Sequence, residues 1–313
     1  MTAAFVFDAM LCLLLVGTAV SAVAGRDLFA SIAFFVTYGI LIGLAWLRLG
    51  AVDVALAEVA IGAGLTGVLL IGAWSMLQRR CGDGGNDPAM PVLPKLAAAA
   101  VSVTVTGMLA LAVLALPVGA PGLVPLVTEN LSESGVGNPV TAVLLNFRAY
   151  DTLMESIVLL IALVAVWALT PKELWGGVPG LRQHARPDGV LATFGRLLPP
   201  LGLVVAVYVV WAGSEMPGGA FQAGTILAAV WLLVVMAGIA EEPPMSSRLL
   251  RLALVVGPAV FLGVGLVGAA FGSFLGLPVD FAKALILAIE FALTFSIAVT
   301  LALLVAGTPR EGT

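Results

Sequence analysis

The sequence predicts an all-α, polytopic membrane protein of about nine transmembrane helices, with its N-terminus outside and its C-terminus inside. Three observations predict it. Of the 313 residues, 61% are hydrophobic and only 10% charged, and the mean hydropathy is +1.14. Soluble domains carry about 25% charged residues, and a soluble chain this apolar would expose large sticky patches. The apolar residues fall in runs of about 20, the length needed to span hydrocarbon. Lysine and arginine gather in alternate connections, as the positive-inside rule expects.

The runs follow in order. Ala3–Ala24 begins without a basic flank and shows no isolated cleavage site, so it reads as the first span rather than a signal peptide. Leu28–Leu47 and Val52–Leu77 come next. Cys81–Leu93, rich in Gly, Asp, Asn and Pro, reads as a flexible inner loop. Then come Leu96–Leu116, Thr152–Leu169, Leu197–Trp211, Phe221–Ala240, Leu252–Gly272 and Phe281–Ala306. The sixth run is short and contains Pro199–Pro200, which leaves its start undefined. With the N-terminus outside, inner connections hold Arg26, Arg79, Arg80, Lys95, Lys172, Arg182, Arg186, Arg196, Arg248, Arg251 and Arg310. The outer side holds only Arg48, Arg148 and Lys283. The stretch Thr170–Gly195, with Pro171, Pro179 and Pro187, divides the chain. Residues 1–170 form a five-helix module, 171–196 an inner connection and 197–313 a four-helix module. No internal repeat links the halves.

Little other chemistry is available. His184 is the single histidine and lies in a polar connection, while Cys12 and Cys81 are far apart. Without a CxxC, a His cluster or iron–sulfur spacing, no metal, cofactor or disulfide is expected. The absence of an HExxH or Ser/His arrangement argues against an intramembrane hydrolase. No nucleic-acid partner is expected.

Four carboxylates, Asp53, Glu58, Glu155 and Glu290, lie inside apolar runs. Each costs about 2.5–3.5 kcal/mol on insertion scales, and such residues usually face a bundle interior or an ion path. Asp53 and Glu58 are about 7.5 Å apart along the helix and about 140° apart around it. Asp53 reads as a helix cap or an interface residue. Glu58 reads as an ion-relaying group or a structural hydrogen bond to another helix. Gly62-Ala-Gly64-Leu-Thr-Gly67 is formally GxGxxG, but it lies within a span and no strand precedes it. Its glycines permit close helix contact or a π-type distortion. Further on, Pro139 suits the first turn of a short helix. Asn146, Arg148 and Asp151 precede the fifth span, and Glu155 falls one turn inside it on the Asp151 face. Asp151 reads as a cap, with Arg148 either pairing with one of these acids or sitting at the outer interface. Pro217-Gly218-Gly219 forces a tight turn, after which Gln222 and Thr225 enter on one face, as a hairpin mouth or a polar lining. Lys283 and Glu290 point the same way about 10 Å apart, bridgeable by a water chain. Alternatively, Lys283 snorkels as an outer anchor and Glu290 bonds another helix. Asp8 reads as an interface residue.

Three of these stretches resemble a known family. Gly50-Ala51-x-Asp53-Val54-Ala55-Leu56-x-Glu58 resembles the signature of a small membrane module. That module is shared by the C-terminal part of the large Mrp antiporter subunit and the D subunit of energy-converting hydrogenases. Val140-Thr-Ala-Val-Leu-Leu-Asn-Phe-Arg-x-x-Asp151-Thr152-Leu-x-Glu155 is similar to the neighbouring E-type module. Both are related to the J subunit of respiratory complex I. Pro217-Gly-Gly-Ala-Phe-Gln222-Ala-Gly224, followed by two further spans, resembles the B subunit of Mrp-type multisubunit sodium/proton antiporters. The resemblance implies a component of such an antiporter in a bacterial or archaeal cell (inner) membrane. It would be a secondary-transporter component and no enzyme, working with other antiporter subunits on sodium and protons. Glu58 is the implied member of the ion path and Glu155 a second. The candidate ion-pathway set is Glu58, Glu155, Glu290, Asp53 and Lys283. Family members often carry Pro where Val52 stands, Asp where Asn146 stands and Gly where Ala220 stands. The broken helices and central lysines of the large antiporter body are absent, so this polypeptide is not expected to exchange ions alone. Two rivals remain: a membrane-arm subunit of a hydrogenase- or complex I-like redox pump, and a non-conducting assembly subunit.

Overall fold

Inside hydrocarbon every backbone N–H and C=O needs an internal partner, and a helix supplies one within a single segment. The computed structural model describes residues 3–81, 92–117, 122–180, 186, 189–270 and 272–309. Among them eight helices are long and apolar enough to cross a membrane, and a ninth apolar helix is shorter. The protein is a multi-pass, all-α membrane protein. Most of the Cys81–Leu93 connection, together with Arg182, His184, Pro187 and Arg310, lies outside the described residues, as do the side chains of Arg79 and Arg80.

The elements are α1 (Ala3–Ala24), α2 (Leu28–Arg48) and α3 (Val52–Ala57), which continues through a π-helical stretch, Glu58–Leu65, into α4 (Thr66–Cys81). Then follow α5 (Val92–Leu114), the short α6 (Val124–Asn130) and α7 (Pro139–Ala142), a second π-helical stretch at Val143–Phe147, and α8 (Ala149–Ala168). The chain closes with α9 (Val190–Ala212), α10 (Ala220–Met236), α11 (Arg248–Ala270) and α12 (Val279–Ala306).

Most runs appear within a turn of their expected limits, and the exceptions have local causes. The sixth helix starts at Val190, before Pro199 and Pro200, and carries both prolines in its interior. In membranes, neighbouring groups and local adjustment satisfy the carbonyls that proline frees. Conversely, α10 ends at Met236 rather than Ala240: the chain turns at Gly238, and Pro243–Pro244 cannot resume the helix. The unexpected α6 has Pro125 in its first turn. The expected π distortion spans Glu58–Leu65, where the Thr66 hydroxyl reaches back to the Ile61 carbonyl at 2.9 Å.

Packing centres on α12. It lies between α10 and α11, with α8 against α11 and α12 and α9 against α10. Leu153, Phe261, Ile286, Ile289, Leu293 and Ile297 form the main apolar cluster. A second cluster at the far end joins Trp167, Met245, Leu254 and Leu303. In the first half, α1 packs on α2, and α2 on the α3–π–α4 helix. The close approach there comes from glycines of α2. A side chain at Gly39 would put its first carbon 2.9 Å from the Ala63 methyl, and one at Gly43 would strike Val59.

One side chain splices α11 to α12. The Ser296 hydroxyl accepts from the Gly257 N–H and donates to the Ala253 carbonyl, each at 2.8 Å. These two groups would otherwise bond each other along α11, and the next residue, Pro258, has no N–H to offer. A hydroxyl inserted into the ladder beside a proline is a recognised cause of helix bending.

Candidate functional site

The connection between α9 and α10, residues 213–219, is where distant parts of the chain converge. Its Glu215 and Met216 N–H groups return to the Ala212 carbonyl at 2.9 and 2.8 Å. Pro217 then leads into Gly218 and Gly219, whose φ values of +156° and +134° favour glycine. A side chain at Gly218 would also strike the Val209 carbonyl oxygen. The turn places the start of α10 at Ala220.

Residues just before and within α7 grip this connection from one side. Asn138 caps α7 by accepting from the Val140 N–H at 2.9 Å, and its amide donates to the Gly213 and Met216 carbonyls at 3.2 and 3.0 Å. The Thr141 hydroxyl donates to Gly213 O at 2.6 Å. The Gly137 and Asn138 N–H groups both reach Ser214 O, at 2.9 and 3.0 Å. Here Pro139 is the first helical residue, as expected, and Asn138 supplies the cap.

From α3, Asp53 reaches the same turn. Its Oδ1 accepts from the Gly218 N–H at 2.8 Å, and its backbone carbonyl accepts from Gln222 Nε2 at 3.4 Å. From α12, Glu290, only 3% exposed, brings its carboxyl group against the Ala220 N–H and close enough to Asp53 to interact through space. Glu290 Oε2 is buried without a hydrogen-bond partner among the described residues. Two carboxyl groups from opposite ends of the sequence thus face the N-terminus of α10. The exposed N–H groups and dipole of a helix start favour negative charge. Mutual repulsion at short range opposes it.

Asp53 is therefore neither a helix cap nor an interface residue, as the sequence suggested. Ala51 occupies the cap position of α3 without a side-chain bond, and Asp53 is buried. Its carboxylate is drawn instead to the free N–H groups of another helix's start. Lys283 pairs with Glu215 Oε1 at 2.6 Å, both side chains about half exposed at 50% and 51%. Glu215 escaped the sequence reading because it lies outside every apolar run. The available signal was an acid two residues before Pro217-Gly-Gly on the side that also holds Lys283.

Glu58 and Glu155 stand apart from this junction. Glu58 opens the first π stretch, is half-buried, and folds its carboxyl group over Gly62, where a side chain would collide with it. Glu155 lies on an exposed face of α8. Arg148 pairs with Asp151 at 2.5 Å rather than with Glu155. Asp151 does not cap α8, since Arg148 holds the cap position without a side-chain bond. Asn146 donates to Ser134 O at 3.0 Å, and Thr152 donates to Leu144 O at 2.6 Å, tying the second π stretch to α8. Thr225 donates its hydroxyl to Phe221 O of its own helix at 2.8 Å. Asp8 forms a two-bonded pair with Arg48, at 2.7 and 3.1 Å. Between α10 and α11, the Glu242 carboxyl group packs over Gly180, and burial pushes it up to about 7.

Comparison with known proteins adds an independent frame. Residues 13–79 match the MbhD family model, which describes the D subunit of MBH. Residues 190–308 match a domain related to the MnhB subunit of Na+/H+ antiporter. The Mrp complex from Dietzia sp. DQ12-45-1b contains a chain 25% identical, with a TM-score of 0.72, over 97% of this chain and 35% of that one. A chain of the archaeal membrane-bound sulfane sulfur reductase, a respiratory membrane complex, shares the fold at a TM-score of 0.57 and 24% identity, covering 70% of this chain and 100% of that one. An uncharacterised protein of Methanocaldococcus jannaschii is 28% identical over 154 residues, 44% of this chain and 59% of its own length. The chain thus spans about a third of the matched Mrp chain and under two thirds of the Methanocaldococcus jannaschii protein.

Proposed function

We propose that this chain, in which an MbhD-type segment precedes an MnhB-related one, is a membrane subunit of a multisubunit sodium/proton antiporter-like complex. It contributes carboxylates to the ion path as part of a secondary transporter and catalyses no chemical reaction. The observation that carries this reading is the junction at residues 213–220, where Asp53 of the first segment and Glu290 of the second meet at one helix start. A merely structural join between two helix groups would not require two buried acids, each costly in hydrocarbon.

Glu58 is the main relay group in this reading, with Glu155 a further point on the path. Neither has a hydrogen-bond or ion-pair partner among the described residues, and both are accessible at the chain's own surface, so other subunits complete their surroundings. Lys283, held by Glu215, marks the rim. The large ion-exchanging body belongs to partner chains in the same prokaryotic membrane. The proposed orientation has the N-terminus outside, and the proposed units are residues 1–170, 171–196 and 197–313.

The test is Glu58→Gln in the assembled complex. Sodium-driven proton movement in inverted vesicles falls at least about tenfold, the loss expected when one transfer step is disfavoured by about 1.4 kcal/mol. Unchanged antiport per assembled complex would sink the relay role. Reduced complex yield with normal activity per complex would favour an assembly role instead.

A further inference from the structure

The junction has properties that a simple hydrogen-bonded joint lacks. Glu290 Oε2 is buried and without a hydrogen-bond donor among the described residues, although an unfilled buried acceptor is costly. Thr294, one turn along α12, donates its hydroxyl to the Glu290 backbone carbonyl at 2.7 Å, leaving the carboxyl group unserved. Lys283, the nearby cation on the same helix, is engaged by Glu215.

Side-chain oxygens also converge beside Gly219. The first carbon of a side chain there would lie 3.1 Å from Glu290 Oε1 and 3.4 Å from Gln222 Oε1. Asp53, whose Oδ1 is held by the Gly218 N–H, faces the same turn. The acidic and amide side chains at this turn offer oxygen, the ligand type of hard cations and not of soft ones. Two like charges at one site favour the uptake of a single positive species. The Gly218 and Ala220 N–H groups already offset part of the negative charge, so a monovalent species suits the site better than a divalent one.

We propose that Asp53, Glu290 and Gln222 form one site that holds either a proton or a single sodium ion, and never both. The choice of sodium rests on the antiporter-subunit reading, whereas the site itself rests on the geometry. In the exchange the Glu290 O–H bond breaks, its proton passes to water, and the carboxylate left behind ligates the incoming ion. Charge and atoms balance without any other reactant. Because the site lies where the first helix group meets α10 and α12, its occupant removes repulsion that would otherwise load the joint.

The test uses the full-length chain in lipid nanodiscs, in weak buffer with a pH-indicating dye. Sodium chloride releases protons and choline chloride does not. In parallel, the infrared band of a protonated carboxyl group fades on adding sodium. Glu290→Gln abolishes both signals. Asp53→Asn risks loosening the fold, so Gln222→Ala serves as the second variant. It keeps both acids and raises the sodium concentration needed about tenfold, the cost of roughly one hydrogen-bond-strength ligand. Its release at saturating sodium stays equal to wild type. Release unchanged in Glu290→Gln, equal release with choline, or displacement of sodium by equimolar magnesium overturns the site. These readouts need neither partner subunits nor transport. A silent chain therefore defeats the site even if the complex transports, and an inactive complex defeats the transporter reading even if the chain titrates.

Discussion

Helices α5 and α12 are both apolar enough to span a membrane, yet none of the most apolar stretch of α5 is buried within the chain, whereas 61% of that of α12 is. Hydropathy reports the solvent a helix tolerates and says nothing about its neighbours. Neighbours are set by small residues and by polar groups that need partners. Gly224 of α10 and Gly257 of α11 face α12 so closely that a side chain at either would meet it at 2.7 and 2.9 Å. Gly107 of α5 faces open space. The same residue type thus marks a seam in one helix and no seam in the other.

That contrast is broken most strongly in the α11–α12 seam. Phe261 is fully buried there, and Phe261→Ala is expected to cost about 3–5 kcal/mol by the lost burial and the cavity left. Reversible unfolding of the purified chain in detergent measures it. Next comes Asn138→Ala, which removes a cap and two bonds to the 213–216 connection, one of them buried. A loss of about 2 kcal/mol in the same assay is expected from hydrogen bonds of that kind.

Glu242 sharpens the comparison at the other end of the packed half. Its carboxyl group, raised from 4.5 to about 7 by burial, binds its proton more tightly folded than unfolded. Its contribution is therefore fully present below pH 4.5 and is lost as pH rises through about 7. Glu242→Gln should flatten that part of the stability–pH curve. A curve with unchanged slope there would show that other groups carry it. The smallest effect is expected on α5. Leu109→Ala, at a position 63% exposed, should alter the stability of the isolated chain by less than about 0.5 kcal/mol. A larger loss would mean that α5 packs within the chain after all.

The spans were legible because run length and apolarity are local properties, and so were the helix start at Pro139, the Pro217-Gly-Gly turn and the π stretch at the Gly62–Gly67 glycines. What stayed hidden is pairing across the sequence. Asp53 and Gly218 are joined across 165 residues, and nothing local fixes which helix start an acid near a span's end will meet. Helix facing was equally hidden. An apolar helix surrounded by lipid and protein has no polar side to orient it. Motif resemblance singled out Glu58 and Glu155, whereas burial sets Glu290 apart from both. Gly39 and Gly43 of α2, which set the seam against the first π stretch, stand in GxxxG spacing, but that spacing does not say which helix they meet.

The Ser296 splice between α11 and α12 has a mechanical consequence. If α12 slid along α11 by even one residue, about 1.5 Å, the Gly257 N–H and the Ala253 carbonyl would lose the hydroxyl that serves both. Alpha-helical pistoning is therefore braked at this level of the bilayer. Glu290 lies six positions along the same helix, about 9 Å away, and inherits that fixed height. In the proposed exchange, a change of charge at Glu290 would therefore act through its side chain and the two-glycine turn, while the helix that carries it stays in register.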